Sequence, residues 1–204
     1  MQKANAFFLI LLLGLTFFLH AQDDNDPSIE TDWDDYSTDL YTRGDQTFTI
    51  SLGVGFPTFF VRDGEIIENK IDPPVGGTGA LNYNYYFGSR FFTGGDLSLL
   101  FLPTIANNTV FITSLGLKTG TQFIIGRFEF PLSMTLGMTI QTYLDLGYFG
   151  MYMKAGAAAL FRVSHEWSFG LTSNWCWFPQ WTGDKATSVD GHFVDLVISA
   201  RYHF

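Results

Sequence analysis

The sequence predicts an all-β fold, a closed antiparallel eight-stranded transmembrane β-barrel. Three observations carry the prediction. From residue 46 onward, apolar and polar residues alternate with period two, segment after segment. Most of these segments run 11 residues or more, beyond the usual soluble strand of about five or six and enough for the 9–11 that cross a tilted bilayer. Aromatic residues make up 18% of the chain and charged residues only 15%, sparse cover for a soluble surface.

Two segments precede the strands. Residues 1–21 read as a secretory signal peptide: Lys3 is the one charge before an apolar run over 6–19, and Ala21 offers a small residue for cleavage. Fourteen residues are too few for a spanning helix, which needs about 20. Residues 22–45 hold nine acids against Arg43 alone and are expected to be a disordered, solvated leader on the periplasmic side. Without Lys3 the mature chain has 20 acids and 10 bases, of which residues 46–204 carry 11 and 9, so the body is nearly neutral. No basic stripe suits nucleic acid. Cys176 is the single cysteine, so no internal disulfide forms.

The first strand, 46–56, sets Phe48, Ile50, Leu52, Val54 and Phe56 against Thr47, Thr49, Ser51, Gly53 and Gly55. Residues 62–79, rich in acids, proline and glycine, read as a long loop. The second strand, 80–87, is followed by a tight turn at Gly88 and Ser89. The third and fourth span 90–102 and 109–122, with a loop between them. The fifth, 128–144, has eight hydrophobes at nine positions of one face, including Phe128, Leu132, Met134, Leu136, Met138 and Ile140. The sixth, 149–163, the seventh, 166–178, and the eighth, 192–204, repeat the pattern, with a turn at Ser164 and His165 and a loop over 179–191.

The polar faces decide which way the barrel is dressed. They gather Gly, Ser and Thr with Arg90, Asp96, Lys118, Glu129, Lys154, Arg162, Asp195 and Arg201. Five bases and three acids can pair inside a narrow barrel while the hydrophobes face lipid. Aromatics collect at two levels, around Phe48, Phe87, Phe91, Phe128, Phe161, Trp167 and Phe204, and around Phe56, Phe59, Phe101, Phe111, Tyr148, Trp175, Trp177 and Trp181. With both termini periplasmic, short turns fall inside and the loops 62–79, 103–108, 145–148 and 179–191 fall outside. Outer-membrane lipid is the expected surrounding. His165, His192 and His203 are scattered and read as interfacial imidazoles. No metal cluster or catalytic triad stands out, so no enzyme activity and no cofactor are expected.

The terminal strand, with Tyr202 and a final Phe204, resembles the assembly signal of bacterial outer-membrane barrels, which implies the barrel assembly machinery as a partner. Over residues 46–204 the plan resembles the OmpW family. That resemblance implies a narrow passive route for small, hydrophobic molecules, with a funnel drawn from Phe59, Phe60, Phe92, Leu100, Leu102 and Tyr143. It also implies a lateral gate at Pro57, where the ladder loses a donor. The alternative is a surface adhesion protein, with the barrel as anchor and the loops 62–79 and 179–191, which include Asp63, Glu65, Glu68, Asp72 and Trp181, binding host ligands.

Overall fold

The computed structural model describes residues 41–67, 75–103, 109–143, 146–180 and 188–204. The signal peptide, residues 22–40 of the leader and the stretches 68–74, 104–108, 144–145 and 181–187 lie outside the described residues.

Strand-forming alternation becomes β1 (Gln46–Arg62), β2 (Glu65–Ile67), β3 (Gly76–Tyr86), β4 (Phe91–Pro103), β5 (Thr109–Ile125), β6 (Phe128–Tyr143), β7 (Leu146–Arg162), β8 (Trp167–Gln180) and β9 (Val189–His203). Each long strand pairs antiparallel with the next, and β9 pairs back to β1 from Thr47↔His203 to Val61↔Asp190. Eight strands therefore close into a barrel with no free edge, the one sheet form that leaves no unpaired backbone in lipid. β2 is a short flap: Asp63 and Gly64 turn with positive φ, and β2 folds back on the end of β1.

The strands outrun the periodicity at the loop end. β1 continues to Arg62, β3 begins at Gly76 and β7 at Leu146, so the expected loops shrink to wall. Below, the turns are as tight as expected: Gly126, with φ 59°, joins β5 to β6, and the Ser164 hydroxyl accepts the N–H groups of Glu166 and Trp167. We call the end holding these turns, Tyr41 and Phe204 the turn end, and the opposite end the loop end.

The outward set is the apolar one. Leu52, Leu115, Leu117, Leu136, Met138 and Ile198 are each more than half exposed and form the lipid-facing band. The inward set is polar through most of the barrel, where Thr47, Thr49, Ser51, Asn82, Asn84, Ser114, Thr135 and Ser199 are buried.

Candidate functional site

The lumen is the place where chemistry could happen, and it is filled in three layers. At the turn end Glu129, projected inward by β6, is fully buried. Its Oε2 accepts from Tyr41 Oη at 2.8 Å, Arg201 Nη1 at 3.1 Å and Gln122 Nε2 at 3.2 Å. Its Oε1 lies 3.0 Å from the Ser168 hydroxyl, 3.7 Å from His203 Nε2 and 3.9 Å from Arg162 Nη1. A buried carboxylate needs this many partners, because taking a charge out of water costs several kcal/mol that only close opposite charges and hydrogen bonds offset, on the order given for buried ion pairs. Tyr86 and Phe92 seal the layer, with ring centroids 5.5 Å apart.

In the middle layer Asp96 takes both contacts from Lys154 Nζ, each at 2.6 Å, and accepts from Tyr152 Oη at 3.1 Å. Lys118 donates to Asn82 at 2.9 Å, and Asp195 accepts from Asn174 at 2.6 Å. Gly116 makes room here: a Cβ on it would stand 2.7 Å from the Tyr152 hydroxyl. A cavity of about 30 Å³ remains between Asp96, Lys118, Lys154, Asp195 and Arg201. Toward the loops the lumen turns apolar. Leu100, Leu102, Ile112, Tyr152, Cys176, Phe178 and Phe193 are buried against one another, with Phe60 and Val110 packed on them. The space left among them is about 20 Å³. Voids of this size hold roughly one or two waters.

Among the expected lumen charges, Asp96, Glu129, Lys154, Arg162, Asp195 and Arg201 are buried inside the wall, and Lys118 points inward to Asn82. Arg90 is not with them. It sits in the turn before β4 begins, beyond the end of the wall, and is exposed.

The expected funnel is corrected in three places. Phe92 is inward but at the turn end, packed with Tyr41, Tyr86 and Ile124, because β4 enters the barrel there. Phe59 faces outward, stacked on His192 at 4.2 Å, because a bulge between Pro57 and Phe59 inserts one residue and reverses the alternation. Phe60, Leu100 and Leu102 do meet at the loop end, but they close on each other rather than line an opening. Tyr143 pairs in the ladder with Val110 and Leu146, and its side chain lies outside the described residues. Pro57 is buried opposite Phe193, in a β1–β9 ladder that continues on both sides of it, and it lies two residues past Gly55, where the pairing of β1 with β3 ends. Phe204 is exposed beside Tyr202, at a centroid distance of 5.0 Å, with its N–H on the Gln46 carbonyl.

Two participants escaped the sequence reading. His203 is a buried partner of Glu129, Tyr41 and Ser168, not an interfacial imidazole. Tyr41 belongs to the folded barrel, so the ordered body starts at least five residues before the expected boundary. Residues 42–45 form a turn in which Asp45 accepts from the Thr42 N–H and hydroxyl at 2.8 and 3.0 Å. That turn sends Tyr41 back into the mouth, 4.0 Å above the Tyr86 ring. Burial pushes the Tyr41 phenol well above its ordinary pKa, with Tyr86 adding to the shift, so it stays protonated as a donor. The signal available for it was the turn chemistry of Gly44 and Asp45 directly before a strand.

A closed eight-stranded wall, apolar outside and charged within, defines an outer-membrane β-barrel protein. The crystal structure of Neisserial surface protein A shares this fold at a TM-score of 0.59 and 9% identity, covering 79% of this chain and 97% of that one. The chain belongs to an uncharacterised Treponema family whose model matches residues 22–202. Two uncharacterized proteins of Treponema pallidum (strain Nichols) are similar to it. One is 29% identical over 133 residues, which are 63% of this chain and 59% of that protein; the other is 24% identical over 140 residues, 61% and 48%. The chain thus spans about half the length of these relatives.

Proposed function

We propose that this protein is a surface anchor: the barrel is a sealed mount in the outer membrane, and its loop-end segments bind a partner outside the cell. The observation behind this reading is the filled lumen. Passage along the axis would require the Glu129 layer, the Asp96–Lys154 layer and the apolar cluster to part together. An apolar plug at the loop end suits a platform better than a conduit, since it packs the strand ends there against one another. In this reading the termini and tight turns face the periplasm, and the barrel assembly machinery reads Tyr202 and Phe204 during insertion.

Two measurements test it. Liposomes carrying the folded protein should take up a small apolar compound no faster than empty liposomes; faster uptake would restore the channel. Deleting residues 68–74 or 181–187 should abolish attachment of a bacterium displaying the protein to host cells, while the heat-modifiable shift of the folded barrel persists. Attachment unchanged by both deletions would refute the anchor reading. For the terminus, removing Phe204 is expected to lower the folded fraction in the outer membrane.

A further inference from the structure

The mouth at the turn end is built like a binding site that already has its ligand. The Tyr41 ring stacks on Tyr86 at 4.0 Å with an interplanar angle of 18°, and the Arg162 guanidinium stands 5.6 Å from its centroid. Its hydroxyl donates to Glu129 at 2.8 Å and lies 3.1 Å from His203 Nδ1. These partners come from β3, β6, β7 and β9, whereas Tyr41 reaches them only through residues 42–45 ahead of β1.

The cup does not depend on its occupant. Glu129 is also held by Arg201, Gln122 and Ser168, and the Tyr86 hydroxyl is held by Gln122 at 2.6 Å. Removing the phenol therefore leaves an aromatic floor and a carboxylate–imidazole acceptor pair in place.

The segment carrying Tyr41 has the build of a hinge. Gly44 has φ 107°, a conformation L-residues rarely adopt, and donates to the Tyr86 carbonyl at 3.0 Å. The Asp45 carboxylate ties Thr42 into the turn. Beside Tyr41 lies a polar recess of about 370 Å³, bordered by Asp45, Arg162, His165, Glu166 and His203. That recess leaves space beside the ring. Nε and Nη1 of Arg162, the guanidinium beside the Tyr41 ring, are buried without a hydrogen-bond acceptor among the described residues.

We propose that the turn-end mouth is a phenol-binding cup whose resident ligand is the chain's own Tyr41, and that residues 41–45 are a strap that opens and closes it. The strap shields the Glu129 cluster from water when closed. When it is open, the cup accepts a 4-hydroxyphenyl group in trans.

The test uses the full mature chain folded in lipid, with Cys176→Ser and Ser168→Cys. Ser168 is fully buried and shares Glu129 and His203 with Tyr41 as hydrogen-bonding partners. A water-soluble maleimide should label this thiol slowly in the parent and about tenfold faster after Tyr41→Ala, as expected when a local closure worth one or two hydrogen bonds is lost. Adding 4-methylphenol should slow the labelling of the Tyr41→Ala protein toward the parent rate. Toluene, with no O–H for Glu129, should slow it less. Asp45→Ala keeps every lumen side chain and should speed labelling several-fold by loosening the turn alone, which covers the case in which Tyr41→Ala fails to fold. Parent-rate labelling in the folded hinge variants would overturn the strap, and equal effects of 4-methylphenol and toluene would overturn the phenol cup.

Discussion

Toward the turns, the lumen is packed with Glu129, Arg201, Arg162, His203 and Gln122; toward the loops, it is packed with Leu100, Leu102, Ile112, Phe178 and Phe193. Both halves are closed, yet by unlike forces. The turn half is closed by directional bonds converging on one carboxylate of β6 from β5, β8 and β9 and from Tyr41. The loop half is closed by shape, with the rings of Phe193 and Phe178 meeting edge-on at 5.5 Å and Phe60 and Phe193 at 5.7 Å. Directional closure fails when a single member is lost, because the remaining charges are left buried and unpaired. Closure by packing fails gradually, in proportion to the volume removed.

The largest effect should come from breaking the hub. Glu129→Ala leaves the buried Arg201 without its carboxylate and removes an acceptor from Tyr41, Gln122 and Ser168. We expect a loss of about 3–5 kcal/mol, the cost of orphaning a buried charge, measured by urea unfolding of the heat-modifiable form in lipid. Ile112→Ala, in the apolar half, should cost somewhat less, about 2–4 kcal/mol, from the transfer and cavity terms. If Ile112→Ala proves the costlier of the two, the turn half is not the stronger closure.

These unlike halves also differ in how far the sequence revealed them. The two faces of β6 were legible because side chains alternate with period two, and the same rule placed Asp96, Glu129, Lys154, Arg162 and Arg201 inside. What alternation cannot show is which inward groups meet. Glu129 and Arg201 are 72 residues apart and come together only through the register of several strands. A bulge is equally silent, and the one after Pro57 turned Phe59 outward while carrying Phe60 in. The apolar fill of the loop half looked like a funnel because inward hydrophobes read the same whether they line a void or close one. Tyr41 stood in an acidic stretch with no alternation to mark it.

The middle layer separates the two halves and allows the finest test of how they differ. Lys154→Met alone would take away the ion-pair partner of Asp96, leaving it the Tyr152 hydroxyl and the charge of Lys118 in the same layer, and should destabilise by about 3 kcal/mol. Lys154→Met with Asp96→Asn removes both charges at nearly constant volume, and the double variant should return to within about 1 kcal/mol of the parent, because a buried ion pair gains little over a neutral pair of like shape. The coupling between the two substitutions, read from a double-mutant cycle in urea, is the quantity that decides. A coupling near zero would mean that water reaches this layer and screens the pair, and the lumen would then be less sealed than its cavity of about 30 Å³ implies. A large coupling extends the directional regime of the turn half up to the floor of the apolar cluster, where Tyr152 belongs to both: its hydroxyl bonds Asp96 and its ring stacks on Phe178 at 5.9 Å.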